Sequence, residues 1–289
     1  MKISCFTFIR NGTLLGYPYI ESIRSALPLC DEFVIAVGDS VDDTVERIRA
    51  IGDDKIRIIE TSWNEKMIDR GYVYGQQKMI AHFNCSGDWA FYLEGDEVLH
   101  EDELPRIKAT MEKHLEDQEV EALIFDFHHF YGEAGTIALG PHFYRQAPRI
   151  IRNSIRSYAP DGLFFVVMDK NKRGRYPTAA LANANIYHYG HVRSVEKMQE
   201  KIQRVSKYWG SAPPEFKSYG DVDSQGFVAF DGSHPKIMQD WLKNDAQQSF
   251  SFNENHTLTK KERGYRTRRK LEKWLGIDTS KKHFRLVKK

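Results

Sequence analysis

Cysteine is scarce in this chain of 289 residues: Cys5, Cys30 and Cys85 are an odd number, with no C-x-x-C pair and no histidine at zinc-finger spacing. That excludes a disulfide framework and a structural zinc module, and leaves three buried thiols in a reducing compartment as the expectation. Long apolar runs are also missing. Stretches such as 33–37 fall far short of the ~18–20 apolar residues a bilayer-spanning helix needs, so no such helix is expected. The first ten residues hold one Lys and a brief apolar run ending in Arg10-Asn11-Gly12, without the core and cleavage site of a signal peptide, and they read as a first strand. No internal repeat is visible. What is present is globular: 41% hydrophobic, 12% aromatic and 28% charged residues exclude a disordered chain, and the length suits one large domain or two ordinary ones.

The net charge of +2 conceals an asymmetry. Residues 260–289 hold 13 Lys/Arg against 3 Asp/Glu, leaving 29 basic and 37 acidic residues before them, so a body of −8 carries a tail of +10.

Strand and helix signals alternate through the first half. Apolar runs at 3–9, 33–37, 56–59 and 89–93 predict strands, the second continuous enough for a strand buried on both faces. Between them, helical spacing of Ile20, Ile23 and Leu27, of Val45, Ile48 and Ile51, and over 73–83 predicts helices. A helix through Leu104, Ile107, Met111 and Leu115 and a strand around 122–127 follow. Residues 128–148 turn irregular, as a binding loop or β-excursion would, 163–168 is strand-like, and Val195, Met198, Ile202 and Val205 mark an amphipathic helix. Ser211-Ala212-Pro213-Pro214 signals a boundary. The pattern predicts an α/β catalytic domain over 1–210, a three-layer sandwich with a mainly parallel sheet, and a small, mainly helical basic appendage over 211–289.

In such folds ligands gather at the carboxyl ends of strands, and two acidic clusters fall there: Asp39 after the second strand, and Glu94-Gly95-Asp96-Glu97 after the fourth. In extended chain, Glu94 and Asp96 point to one side about 6.5 Å apart, and Gly95 leaves room for a close ligand. Clustered carboxylates raise one another's pKa unless a cation compensates, so a hard divalent metal completes the motif; the alternative is an acidic exposed turn. Ile186-Tyr187-His188-Tyr189-Gly190-His191 offers imidazoles, whereas His128 and His129 point opposite ways on a strand and are expected as one exposed and one buried.

Taken in order, Phe6-Thr7-Phe8-Ile9-Arg10-Asn11, Val34-Ile35-Ala36-Val37-Gly38-Asp39-Ser40-Val41-Asp42-Asp43-Thr44, Gln76-Gln77-Lys78, Gly87-Asp88-Trp89 and Glu94-Gly95-Asp96-Glu97 resemble glycosyltransferase family 2, over roughly residues 1–205. The resemblance is to its bacterial cell-surface glycan transferases. It implies a GT-A fold and an inverting transfer from a nucleotide-diphosphate sugar, a UDP-sugar foremost, to a cell-surface glycan or lipid-linked acceptor. It places Thr7, Arg10, Asn11 and Asp39 on the base and ribose, and Lys78 near the donor. Glu94 and Asp96 take the place of the family's Asp-x-Asp, which binds Mn²⁺ or Mg²⁺ and the diphosphate; the first position departs to Glu, and Asp96 is the firmer ligand. His188, ahead of His191, resembles the histidine that completes the metal site.

Inverting transfer needs a carboxylate to take the acceptor's proton while the diphosphate leaves. The segment from Arg149-Ile150-Ile151-Arg152-Asn153 to Tyr158-Ala159-Pro160-Asp161-Gly162 resembles the family's base-bearing region, which makes Asp161 the candidate and Asp126 the reserve; the family's usual His-Glu pair is absent. Arg149 and Arg152 are read either as diphosphate or acceptor contacts or as surface residues. The basic tail, with Tyr265, Trp274 and Phe284, suggests an anionic membrane surface or a phosphorylated acceptor; nucleic acid ranks last because no nucleic-acid motif accompanies the charge. A cytoplasmic protein, peripheral on the inner face of the membrane, is expected. Two alternatives remain: a nucleotide-sugar or glycan-binding module without turnover, and a nucleotidyltransferase, for which 6–16 supplies too few basic residues.

Overall fold

A computed structural model describes residues 1–140, 143–244, 246 and 249–287. The first half alternates as its apolar runs dictate: β1 (Ile3–Ile9), α1 (Tyr19–Ala26), β2 (Glu32–Gly38), α2 (Thr44–Arg49), β3 (Ile56–Thr61), α3 (Tyr72–His82) and β4 (Trp89–Tyr92). A two-residue β5 (Glu97–Val98) and α4 (Leu104–Lys113) follow, then β6 (Ala122–Tyr131), β7 (Glu133–Ala138) and β8 (Gln146–Arg152). The second half holds the small sheet of β9 (Ser157–Tyr158), β10 (Val166–Met168) and β11 (Gly174–Arg175), the long β12 (Thr178–His191) and α5 (Val195–Ser206). Last come β13 (Phe227–Ala229), α6 (Gln239–Asn244), α7 (Lys260–Leu275) and β14 (Arg285–Leu286).

β3, β2, β1 and β4 lie side by side and parallel. Beyond β4 the sheet continues through antiparallel β8 and β6 to β7 and β13, while β12 runs parallel to β6 along its other edge. Alternation along each strand makes the layers. Ile3, Cys5, Ile9, Phe33, Ile35 and Val37 face one side, under Ile23 of α1, Ile48 of α2, and Ile107 and Met111 of α4. Phe6, Val34 and Ala36 face the other, against Ala81 of α3 and Phe165. All three cysteines are buried and free.

The stretch expected to be irregular over 128–148 holds, in its described residues, the β6–β7 hairpin and the start of β8, while Pro141 and His142 lie outside the described residues. Residues 211–289 contribute α6 and α7, and also β13 on the edge of the large sheet and β14 beside β12, while Met238 and Trp241 pack against Phe130, Tyr187 and Tyr189. Lys288 and Lys289 of the basic tail lie outside the described residues. Among the described residues no helix is long and apolar enough to cross a membrane.

Candidate active site

Because β2, β1 and β4 are parallel neighbours, their carboxyl ends open together and bring Asp39, Arg10 and 94–97 to one edge. A cleft of about 360 Å³ lies there, lined by Arg10, Tyr17, Trp63, Tyr74, Glu94, Asp96, Tyr144, His188, His191 and Lys201 among others. At one end it continues into a hollow of about 90 Å³ that shares Arg10, Trp63 and Tyr74 and adds Glu65 and Tyr208. The rings of Trp63 and Tyr74 stand 5.2 Å apart, with the Arg10 guanidinium 5.3 Å from the Trp63 centroid. Such flat apolar faces beside charged groups suit a nucleobase. Glu65 binds Arg10 and accepts from Lys207 Nζ at 2.6 Å; against the upward push of burial, these bonds draw its pKa down to about 2.

The cleft floor is Asp96. Its buried carboxylate accepts from Lys201 Nζ at 3.3 Å and lies 3.7 Å from His188 Nε2. Burial raises its pKa, but the cations of Lys201 and Arg193 outweigh that and hold it well below the usual carboxylate range. Burial, with Arg193 beside it, lowers Lys201 to about 8. Strand β12 delivers the imidazoles: His188 stands in register with Glu97 and His129, and the Tyr189 N–H donates to the Asp96 carbonyl at 2.8 Å. Burial depresses the pKa of His188 strongly, of His129 to about 4 and of His191 to about 3, so all three are neutral near pH 7.

The hydrogen bonds then fix the tautomers. His129 Nε2 faces the Tyr144 carbonyl at 2.8 Å and must donate; its Nδ1 therefore accepts, and His188 Nδ1, 2.9 Å away, must donate to it. His188 is left with its lone pair on Nε2, beside the Asp96 carboxylate. Two electron-pair donors sit together with no proton between them, an arrangement a cation completes. Lys201 supplies one positive charge there, and a divalent ion fits the same carboxylate–imidazole pair.

Gly190 makes the approach possible, since a Cβ at this position would stand 2.6 Å from His188 Nε2 and 2.7 Å from Asp96 Oδ2. With a divalent ion read onto this pair, Gly190→Ala is expected to weaken its binding about 10–100-fold, as displacing a supporting group does. Titration of Mn²⁺ by electron paramagnetic resonance checks this, and wild-type affinity in the variant would contradict the packing.

On the opposite wall the fully buried Arg149 donates from Nε to Glu97 Oε2 at 2.8 Å and from Nη2 to Glu94 Oε1 at 3.1 Å, and also meets the Tyr144 hydroxyl at 3.0 Å. Burial and the Glu97 charge push Glu94 up to about 8 in spite of Arg149.

Arg10, Glu94, Asp96 and His188 thus meet in the cleft, and Asn11 lines the adjoining hollow. Asp39 stands at its rim, half exposed and 3.2 Å from Arg10 Nε. Thr7 is buried within β1, outside the lining. Lys78 is neither solvated nor in the lining: fully buried, its ammonium lies 3.8 Å from the Tyr92 centroid and donates to the Gly162 carbonyl at 3.2 Å, and burial lowers it to about 7. Asp161 adjoins the cleft, since Gly162 and Leu163 line it, while its Oδ1 accepts from the Leu163 N–H at 2.7 Å. Asp126 lines a second cleft of about 390 Å³ with Phe143, Phe230 and Asn185. The surface reading of Arg149 and Arg152 fails: both are buried, and Arg152 donates to the carbonyls of His114, Leu115, Asp117 and Val120 at the end of α4. Trp63, Tyr74, Lys201 and Arg193 had no local signal in the sequence.

Among the described residues, one trio of His, Cys, Asp or Glu brings its ligand atoms within 4.8 Å of one another: His100, Glu101 and Asp102, in the turn before α4. His100 Nδ1 already accepts from the Asp102 N–H at 3.2 Å, and its Nε2 meets Ser233 Oγ at 3.0 Å.

No family model matches the chain. Over 210 residues it is 25% identical to the protein named uncharacterized glycosyltransferase RP128 of Rickettsia prowazekii, and equally to uncharacterized glycosyltransferase RT0209 of Rickettsia typhi. This chain is similar to glycosyltransferases. Each of those matches takes in 71% of this chain and 65% of the relative's length. Solved structures it resembles include Staphylococcus aureus TarS, a match with TM-score 0.39 and 17% identity over 71% of this chain and 39% of that one. Another is glucosyl-3-phosphoglycerate synthase from Mycobacterium tuberculosis, in complex with Mn²⁺ and UDP-glucose, with TM-score 0.30 and 20% identity over 45% and 43% of the two chains. Superpositions this loose leave the glycosyltransferase reading to rest on the chain's own residues and its curated relatives.

Proposed function

We propose that this chain is a metal-dependent, inverting glycosyltransferase that moves a sugar from a nucleotide-diphosphate donor, a UDP-sugar foremost, to a cell-surface glycan or lipid-linked acceptor, with its basic tail at an anionic membrane surface. The observation that carries the reading is the Asp96 carboxylate 3.7 Å from Nε2 of His188, whose Nδ1 meets His129, on the floor of a cleft whose far end is aromatic.

Trp63 and Tyr74 wall one side of the nucleoside, with Arg10, Asn11 and Asp39 at its polar edge. Asp96 and His188 would hold Mn²⁺ or Mg²⁺, which when bound supplies charge stabilisation for a departing diphosphate. Lys201 adds a cation to the same floor, and behind it Arg193 is buried with Nε and Nη2 without a hydrogen-bond partner among the described residues, which adds to the positive field that an anionic donor would meet. Glu94, held by Arg149, shapes the wall beside the sugar. Asp161 takes the acceptor hydroxyl proton as the new bond forms and the diphosphate leaves from the opposite face. His188 is kept in its working tautomer by His129.

Calorimetric titration with UDP in the presence of Mn²⁺ tests this. Wild-type protein is expected to bind, with affinity falling at least about tenfold after chelation or in Asp96→Ala. Equal affinity in all three conditions would contradict the assignment of Asp96.

A further inference from the structure

Helix α7 is amphipathic with its faces reversed. The side toward the body is polar: Arg266 Nε and Nη2 donate to Asp223 at 2.8 and 2.7 Å, Arg145 Nη2 donates to Glu272 at 2.6 Å, Arg269 binds the Gln225 carbonyl, and Glu262 accepts from the Asp223 N–H at 3.0 Å. None of its residues is fully buried. The apolar residues point away: Trp274 is 80% exposed, Leu275 51% and Leu271 48%, and Ile277, just past the helix, 49%. At 100° per residue, Lys260, Arg263, Thr267, Leu271, Trp274 and Leu275 share the outward face, flanked by Lys261, Arg268 and Lys270. A helix that turns its ion pairs inward and its indole and leucines outward has no apolar partner among the described residues, and the cations around that patch specify the partner's charge.

We propose that this outward face of α7 docks flat on an anionic lipid bilayer, with Trp274, Leu271, Leu275 and Ile277 entering the headgroup–acyl boundary and the surrounding Lys and Arg meeting lipid phosphates. An interfacial helix has this composition, a cationic polar margin around a small apolar wedge with a tryptophan at its end. Lys260, Lys261, Arg263, Arg268 and Lys270, on and beside that face, give the electrostatic attraction. The Thr259–Glu262 capping box starts the helix, and Gly276, at φ +65°, ends it in the left-handed conformation. The proposal deepens the membrane-surface part of the reading above and is independent of the transfer chemistry.

Cosedimentation of the full chain with vesicles of phosphatidylcholine alone, and of phosphatidylcholine mixed with phosphatidylglycerol, tests it without donor or acceptor. Binding is expected with the anionic vesicles and not the neutral ones. It should weaken as salt rises, by about fivefold for each cation removed as in Lys270→Ala. Trp274→Ala with Leu275→Ala is expected to reduce binding at least tenfold with an unchanged thermal midpoint, and the fluorescence blue shift on vesicle addition should vanish in Trp274→Phe. Three results would overturn the proposal: no binding to anionic vesicles, equal binding to both compositions, or wild-type binding by the Trp274/Leu275 variant. A chain that binds vesicles but no nucleotide would leave the docking face standing and sink the transferase reading instead.

Discussion

Arg149→Met is expected to cost about 3–5 kcal/mol of folding stability, measured as the shift in urea unfolding. Arg149 and Glu97 are both fully buried, and the guanidinium also bonds to Glu94 and lies 4.9 Å from the Phe127 ring centroid. Removing the arginine leaves two carboxylates in the wall of the cleft with no cation of their own. The burial that already pushes Glu94 up to about 8 would then go without that counter-charge. Glu97→Gln in the same chain removes one of the stranded charges and is expected to restore part of the loss. A loss below about 1 kcal/mol, the range of exposed pairs, would contradict the buried network.

With Asp161 proposed as the base, Asp161→Asn is expected to lower kcat about 10²–10⁴-fold while leaving UDP affinity unchanged, since a base acts only as the bond forms. The change is isosteric, and the asparagine carbonyl still accepts the Leu163 N–H, so the turn that lines the cleft persists. Asp126→Asn serves as comparison. Asp126 lines the second cleft and accepts from Gln146 Nε2 at 2.9 Å, so its loss is expected to leave kcat within a few-fold of wild type. A kcat that survives in Asp161→Asn and falls in Asp126→Asn would reverse the two roles.

The first half of the fold was legible because its physics is local. Strands β2 and β4 are continuous apolar runs, and β1, β2 and β4 end in residues that a buried strand cannot hold, Arg10-Asn11, Gly38-Asp39 and Glu94-Gly95-Asp96. Parallel order alone then places those ends together. Strand β12 was not legible. Its Ala- and Asn-rich stretch 178–185 has neither β-branched enrichment nor clean alternation, and its register against β6 shifts between Leu181 and Asn185, where Asn183 takes φ +55°. Yet β12 carries His188, Gly190 and His191 to Asp96, so half of the site depended on the least readable strand. His129 illustrates the same limit. Its separation from His128 across the strand was readable, whereas its bond to His188, 59 residues on, was not. Lys201 looked like one of many charged positions on an amphipathic helix, and only packing turns it toward Asp96. Trp63 sits in a loop whose neighbours, Tyr74 and Tyr208, come from α3 and from the turn after α5. Arg149 and Arg152 read as solvated or ligand-binding charges because sequence shows charge and not the buried carboxylates and carbonyls that receive it.

The central claim is that the cleft at the ends of β1, β2 and β4 binds and cleaves a nucleotide-diphosphate sugar. The direct measurement is release of nucleoside diphosphate by the purified full chain offered a panel of nucleotide sugars, with Mn²⁺ and after chelation. The account predicts slow release from at least one donor, a UDP-sugar foremost, dependent on the divalent ion and abolished in Asp96→Ala. Release from none of the donors, together with no calorimetric binding of any nucleoside diphosphate, would contradict it.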